Sequence, residues 1–244
     1  MIDLKISEWD TEHFGFKVAK LPYVKDGFSC IYENTRKLES LGSKLLISRC
    51  PTNDFAWIHE LERRGFHFMD VIVYYSIDLS NYYESVPLKY QSREATDDDL
   101  LAVKQIARES FQEYNISHFH ADSNLDMQKC DEVYELWAIN SFRDKSLSDY
   151  MMVIEIDHSV MAFLTIKLKC YGEVGETILS AVHPLARGKD VYTDIINHGI
   201  RWIQKQKCKK FETSTQLTNV SVQKAWSKLG ARLDRSYCTF HLWI

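Results

Sequence analysis

Proline and glycine are scarce in this chain, with four prolines and nine glycines in 244 residues. So little punctuation predicts a dense series of helices and strands. Six cysteines, at 30, 50, 130, 170, 208 and 238, never fall in a CxxC spacing. That scatter, mostly within apolar runs, excludes a disulfide framework or a zinc ribbon and predicts reduced, buried thiols. No apolar run approaches the roughly 20 residues that span a bilayer. The start, MIDLKISEWD, mixes charge with apolar residues too early for a signal peptide. A basic excess is missing as well: 30 Lys and Arg stand against 34 Asp and Glu, a net charge of −4. This argues against a sequence-independent nucleic-acid binder, and any anionic ligand must be held by a local site. These absences predict a cytoplasmic protein with neither nucleic acid nor membrane as partner. His118 and His120 share a face of one segment, but no carboxylate or cysteine spacing accompanies them to make a metal site. What is present is a 45% apolar, 13% aromatic composition, enough for one large domain or two small ones with real cores.

The weakest stretch for regular structure is Asn81–Leu88, which holds Pro87, and a domain boundary is expected there. Before it, Ser43–Cys50 reads as a buried strand. Asp54–Arg64 reads as an amphipathic helix, with Trp57, Ile58 and Leu61 at helical spacing and Gly65 as a left-handed stop. Val71–Leu79 is a β-branched and aromatic strand. After the boundary, Tyr90–Ala95 is a short strand and Thr96 an N-cap followed by three aspartates. A helix then buries Leu100, Val103, Ile106, Ala107 and Phe111. A polar connection, Asn115–Asn124, leads to a second helix over Asp126–Arg143. Strands are expected at Tyr150–Ile156, Met161–Lys169 and Glu176–Val182, the first two joined by a hairpin turn at Asp157–Ser159. Helices at Val191–Gln204 and Val220–Leu229 flank a strand at Lys210–Thr215, and Arg232–Trp243 closes the chain as a long strand. The class is α/β, with antiparallel strands first and a parallel crossover late.

The chain also repeats itself weakly. KLLIS from Lys44 precedes Asp54, Trp57, Leu61 and Gly65; KFETS from Lys210 precedes Asn219, Val222, Trp226 and Gly230 at the same spacing. An aromatic strand follows each.

The stretch Glu176–Thr193 carries the most chemistry. An apolar strand ends at Val182, Pro184 breaks it, and a short loop with Arg187, Gly188, Lys189 and Asp190 enters a helix. Backbone N–H groups and the helix dipole there converge on one spot, an anion cradle suited to a pyrophosphate. The alternative is a plain basic loop between a strand and a helix.

This order of elements, with Val182, Pro184, Arg187, Gly188 and Lys189 followed by Asn219, Val222, Trp226 and Gly230, resembles the GNAT acyltransferase superfamily over roughly residues 90–244. WDTEHFG from Trp9 and the Asp54–Leu79 unit are similar to the N-terminal domain of bacterial TDP-fucosamine acetyltransferase and its relatives. The resemblance implies a GNAT fold, a mixed, largely antiparallel twisted sheet flanked by helices, over 87–244. It implies a smaller α/β unit over 1–86 that is like a degenerate half of the same fold. It implies acyl-CoA as co-substrate, with Val182, Arg187, Gly188, Lys189, Asp190, Val191, Tyr192 and Asn219 around it, and an acceptor site that includes Ser117, His118, Phe119 and His120. The expected reaction is direct transfer of an acetyl or larger acyl group, such as 3-hydroxybutanoyl, to the amine of a dTDP-linked amino-6-deoxysugar. That would serve a surface polysaccharide such as the lipopolysaccharide O-antigen. Acylation of a protein or small amine, or a lapsed binding module, are the alternatives, and a homodimer stays open.

Two positions depart from the family pattern of Arg-Gly-x-Gly-x-Gly: Asp190 and Tyr192 replace its last two glycines. Asp190 reads as an N-cap of the next helix. Trp226 stands where many members carry a tyrosine acid, and indole N–H cannot protonate a thiolate. Tyr237, Ser221 or water could take that part. The proton of the amine would go to one of Glu173, Glu176, His118, His120 or His183.

Overall fold

The computed structural model describes residues 4–83, 86–112 and 116–244. In chain order the elements are β1 (Lys5–Ile6), α1 (Glu8–Phe14), β2 (Val18–Leu21), α2 (Ile31–Ser40), β3 (Leu45–Pro51), α3 (Phe55–Arg63) and β4 (His67–Asp78). Then follow β5 (Ser92–Glu94), α4 (Leu100–Phe111), α5 (Met127–Arg143), β6 (Tyr150–Ile156), β7 (Ser159–Lys169), β8 (Val174–Val182), α6 (Val191–Lys205), β9 (Lys210–Gln216), α7 (Val220–Lys228) and β10 (Arg232–Trp243).

Local chemistry fixes many of the boundaries. The Asp54 carboxylate accepts from the Trp57 N–H at 3.0 Å and starts α3. Thr96 and Asp99 form a reciprocal capping box ahead of α4, with the three aspartates in a 3-10 turn. Asp157 and His158 both have positive φ, as a two-residue turn of type I′ requires, and join β6 to β7. The short N-terminal elements β1, α1, β2 and α2 had no counterpart in the sequence reading, because runs of two to ten residues carry little periodicity.

The ten strands of the described residues form one sheet in the order β1-β2-β3-β10-β4-β9-β8-β7-β6-β5. Helices cover both faces. Along β7, Phe163 belongs to the core under α4 and α5, while Leu164 and Ile166 belong to the core under α6 and α7. Along β3, Leu45 and Ile47 join the first of these cores, and Leu46 and Cys50 turn to α2 and α3. Cys50, Cys130 and Cys208 are buried, whereas Cys170 is exposed, and all six cysteines are free.

The centre of the sheet explains the sequence repeat. The β3–α3–β4 and β9–α7–β10 units have the same form, and Gly65 and Gly230 take the same left-handed conformation at φ 82° and 87°. Their strands are exchanged: β10 pairs with β3, β4 pairs with β9, and β4 and β10 pair with each other, all antiparallel. The stretch expected to divide 1–86 from 87–244 includes residues 84–85, which lie outside the described residues. The sheet runs without a break from strands before that stretch to strands after it.

Candidate active site

Strands β8 and β9 are parallel, but they pair only over Val174–Thr177 and Lys210–Thr213. The cause lies on the other side of β8. Thr165 pairs with Leu179 and Ile166 with Thr177, so Ile178 is the extra residue of a bulge. A bulge bends its strand, and the Thr165 hydroxyl secures this one by donating to the Leu179 carbonyl at 3.2 Å and accepting the Leu179 N–H at 3.0 Å. Beyond it, Ile178–Val182 and Ser214–Gln216 diverge. A cleft of about 1560 Å³ opens there and extends past the α4–α5 connection to α1, β2 and β3.

The loop after β8 forms one end of this cleft. Val182, Arg187, Gly188, Asp190, Val191 and Tyr192 all line it, as does Asn219 at the start of α7. Lys189 does not. Gly188 has φ 75° and nothing within 4 Å of where a Cβ would stand, so the backbone is open to a ligand. Asp190 corrects the sequence expectation. It precedes α6, yet its side chain makes no cap bond, and its backbone holds the left-handed φ of 65° that suits glycine. Its carboxylate turns to the Lys89 ammonium at 2.5 Å and to Lys228 at 3.6 Å. These contacts, Lys89 first, hold the carboxyl below its usual range and neutralise the charge beside the loop. The Asp190 side chain therefore does not cap α6, and the start of that helix, where the dipole favours an anion, lines the cleft. Tyr192 reaches across to β8, where the Ser180 hydroxyl lies 3.4 Å from its own. These residues fit the pyrophosphate of an acyl-CoA. Replacing Arg187 by alanine is expected to weaken CoA affinity about tenfold in calorimetry, near 1.4 kcal/mol, with Tm unchanged. Lys189→Ala, off the cleft, is expected to leave affinity within about twofold; the reverse ranking would move the phosphates elsewhere.

Trp226 lines the cleft and belongs to the core at once. It is buried, 5.5 Å from the Tyr75 ring, and its indole N–H has no hydrogen-bond partner among the described residues. Tyr237 lies on β10 beside β4 and does not line the cleft; its ring sits 5.7 Å from that of Tyr74. Of these two it is Tyr74 that lines the cleft, held under the Arg235 guanidinium at 4.3 Å. Sequence reasoning missed it among four neighbouring aromatic and β-branched residues. Ser221 lines the cleft and donates to Asn219, whose amide donates to Thr215.

The proton-acceptor candidates separate. Glu176 lines the cleft, buried at its closed end, and is ion-paired with Lys169. Glu173 is outside, paired with Lys209 at 2.5 Å. His183 faces a smaller hollow of about 480 Å³ beside α4, 3.2 Å from Glu109 and accepting from the Leu185 N–H. Ser117 and His120 bond to each other at 2.7 Å, and His120 also bonds Asp131 at 3.0 Å; these two fasten the connection to α5 rather than lining the cleft. His118 and Phe119 do line it. The beginning of that connection, residues 113–115, lies outside the described residues.

The far arm of the cleft comes from the N-terminal elements. Trp9, Asp10, Lys20, Tyr23 and Arg49 face it, with Trp137 and Arg143 of α5 opposite. Trp9 and Asp10 belong to the WDTEHFG stretch noted for its resemblance, and the others did not stand out in the sequence: Arg49 sits inside an apolar strand, and its Nε donates to Thr239 of β10 at 3.1 Å. Among the described residues no group of three His, Cys, Asp or Glu side chains is placed to hold a metal ion. Nor is any helix long and apolar enough to cross a membrane.

The spore coat polysaccharide biosynthesis protein SpsD of Bacillus subtilis (strain 168) is 22% identical over 198 residues, 80% of this chain and 65% of its own length. The chain thus matches just under two thirds of that relative. The GCN5-related N-acetyltransferase of Sphaerobacter thermophilus superposes with a TM-score of 0.67 over 99% of this chain and 75% of its own, at 11% identity. A GCN5-related glucosamine N-acetyltransferase region of a fungal multi-domain GH3 β-N-acetylglucosaminidase does so with a TM-score of 0.65 over 98% of this chain and 31% of its own, at 12% identity. A sequence profile of the acetyltransferase (GNAT) family matches residues 102–231. That span runs from α4 through the splayed strands and the loop after β8 to the turn before β10. It covers more than half of the chain, which therefore belongs to the GNAT acetyltransferase family.

Proposed function

We propose that the acceptor is the amino group of a dTDP-linked amino-6-deoxysugar and that the product enters surface polysaccharide synthesis. The observation that carries this reading is the composition of the far arm of the cleft, where three cationic groups, Lys20, Arg49 and Arg143, stand among the rings of Trp9, Tyr23 and Trp137, with the Asp10 carboxylate against Lys20. A diphosphate suits the cations, and a pyrimidine or sugar face suits the rings. With a net charge of −4 the chain as a whole repels such an anion, so a local group of cations is what the ligand requires. The name of SpsD places that relative in spore coat polysaccharide synthesis, and the fungal region is described as acting on glucosamine. Both support an amino sugar as acceptor. The transferred group is acetyl or a larger acyl such as 3-hydroxybutanoyl.

The test is release of CoA thiol with a panel of dTDP-aminosugars, glucosamine and lysine peptides. Turnover should be highest with a dTDP-aminosugar. Arg49→Ala should raise its KM at least about tenfold while the KM of acyl-CoA stays the same, since a charge-assisted bond to phosphate is worth roughly 1.5–3 kcal/mol. Preference for a peptide or free glucosamine would refute the nucleotide-sugar reading.

A further inference from the structure

Two buried side chains, Asp122 and His241, join the acceptor arm to the end of β10. Asp122, on the α4–α5 connection, accepts from the Trp243 indole N–H at 2.8 Å and lies 2.7 Å from His241 Nδ1. His241 is fully buried, and its Nε2 is 2.9 Å from Nδ1 of His118, which lines the cleft. The proton positions follow from the chain of contacts. Asp122 only accepts, so His241 carries its proton on Nδ1 and offers a lone pair on Nε2. His118 must then donate from Nδ1, which leaves its Nε2 with a lone pair.

We infer that His118 is the general base that takes the proton of the acceptor amine, with His241 and Asp122 as positioning residues that fix its tautomer and spread its charge. This rests on the acyl-transfer reading of the cleft. The amine lone pair forms the N–C bond at the thioester carbonyl, and the C–S pair leaves with sulfur. The amine proton goes to His118 Nε2, while the thiolate takes one proton from solvent and His118 later returns one.

The surroundings keep the imidazole ready. Burial first, then His241, Arg49 of β3, Lys20 of β2 and His120 on its own connection, hold the His118 pKa well below the ordinary value, so it is neutral at pH 7. Three carboxylates stand near these groups. Asp10 of α1 pairs with Lys20 at 3.5 Å, Asp131 of α5 with His120, and Asp70 of β4 is buried opposite Thr239. None is bonded to His118. A base with so low a pKa would be weak alone. The contact to His241 lets positive charge shift toward Asp122, which stays ionised: burial raises its pKa, but bonds from His241, Trp243 and the Asn124 N–H outweigh that and hold it below the usual range.

The experiment compares His118→Gln, His241→Gln and Asp122→Asn with the wild type, using whichever amine of the panel turns over fastest. A wrong acceptor class therefore shows as a preference for another amine and leaves this test standing. His118→Gln should lower kcat at pH 7 by roughly 10²–10³-fold with the KM of acyl-CoA unchanged. Its loss should shrink as pH rises and the amine deprotonates unaided. Asp122→Asn should cost about tenfold in kcat and move the acid limb of the pH profile, and added imidazole should partly restore His118→Gly. In ¹⁵N spectra of histidine-labelled wild type, His118 should be the neutral Nδ1–H tautomer and should change in Asp122→Asn. A wild-type kcat and acid limb in His118→Gln would overturn the proposal, as would an Nε2–H tautomer at His118.

Discussion

Cutting the chain after residue 86 is expected to abolish folding of the larger piece. Residues 87–244 contain the whole span that matches the GNAT family, yet they do not contain the neighbours of β10. In the intact chain β10 pairs along Tyr237–Trp243 with β3 and along Arg232–His241 with β4. Both partners belong to the first 86 residues, and β9 loses β4 along its full length as well. The fragment would therefore expose both edges of a twelve-residue strand that carries Phe240, Leu242 and Trp243, and one edge of the next, a template for aggregation. It would also strip Phe14, Val18, Leu45 and Ile47 from the core beneath α4 and α5. Expressed alone, 87–244 should pellet or elute as a soluble aggregate without thiol-release activity. Co-expressed as separate chains, 1–86 and 87–244 should be recovered together. A monomeric, cooperatively unfolding 87–244 would show that the exchanged strands are dispensable, and that the boundary at 86/87 separates independent folding units.

The same exchange marks where the sequence stops being legible. Both strand–helix–glycine–strand units are readable, because Asp54, Gly65 and Gly230 act through their own neighbours. The turn at Asp157 and His158 and the strand–loop–helix around Arg187 are equally local. Which strands lie side by side is not local: a reading in chain order pairs β3 with β4, and nothing in either strand announces that β10 comes between them. The site follows the same division. The loop after β8 lies in one continuous segment and was legible as a strand–loop–helix turn, although Lys189 does not line the cleft. Asp190 was assigned the wrong task there, because its lysine partners come from residues 89 and 228. His118 was visible as a candidate, but its partner His241 is 123 positions away, and alternation along β10 marks it only as an inward-facing residue. Arg49 looked like an ordinary member of a buried strand until β10 placed Thr239 beside it. Local signals reveal elements and caps; sites assembled across the sheet need the topology first.

Glu212→Gln is expected to cost about 3 kcal/mol of stability at neutral pH and to remove part of the acid sensitivity of the fold. Glu212 is a nearly buried carboxylate on β9, bound by both terminal nitrogens of Arg235 at 3.0 Å and by Lys210 at 2.6 Å. Arg235 and Lys210 also meet Asp234, so two cations and two anions tie β9 to β10 across β4. The Arg235 bonds dominate, burial works against them, and Lys210 adds to them, with the result that the Glu212 pKa falls from 4.5 to about 2. A carboxyl depressed in the folded state contributes fully above its unfolded pKa, and that contribution is lost as pH falls through the folded value. Wild-type stability in urea should therefore decline from about pH 4.5 downward, with Asp99, held to about 2 chiefly by Arg93, adding to the slope. The gap between wild type and Glu212→Gln should be widest at pH 7 and narrow steadily below pH 4.5, because a protonated Glu212 resembles the glutamine that replaces it. A constant gap down to pH 3 would mean that Glu212 titrates at its ordinary value and that the bonds to Arg235 do not favour its ionised form.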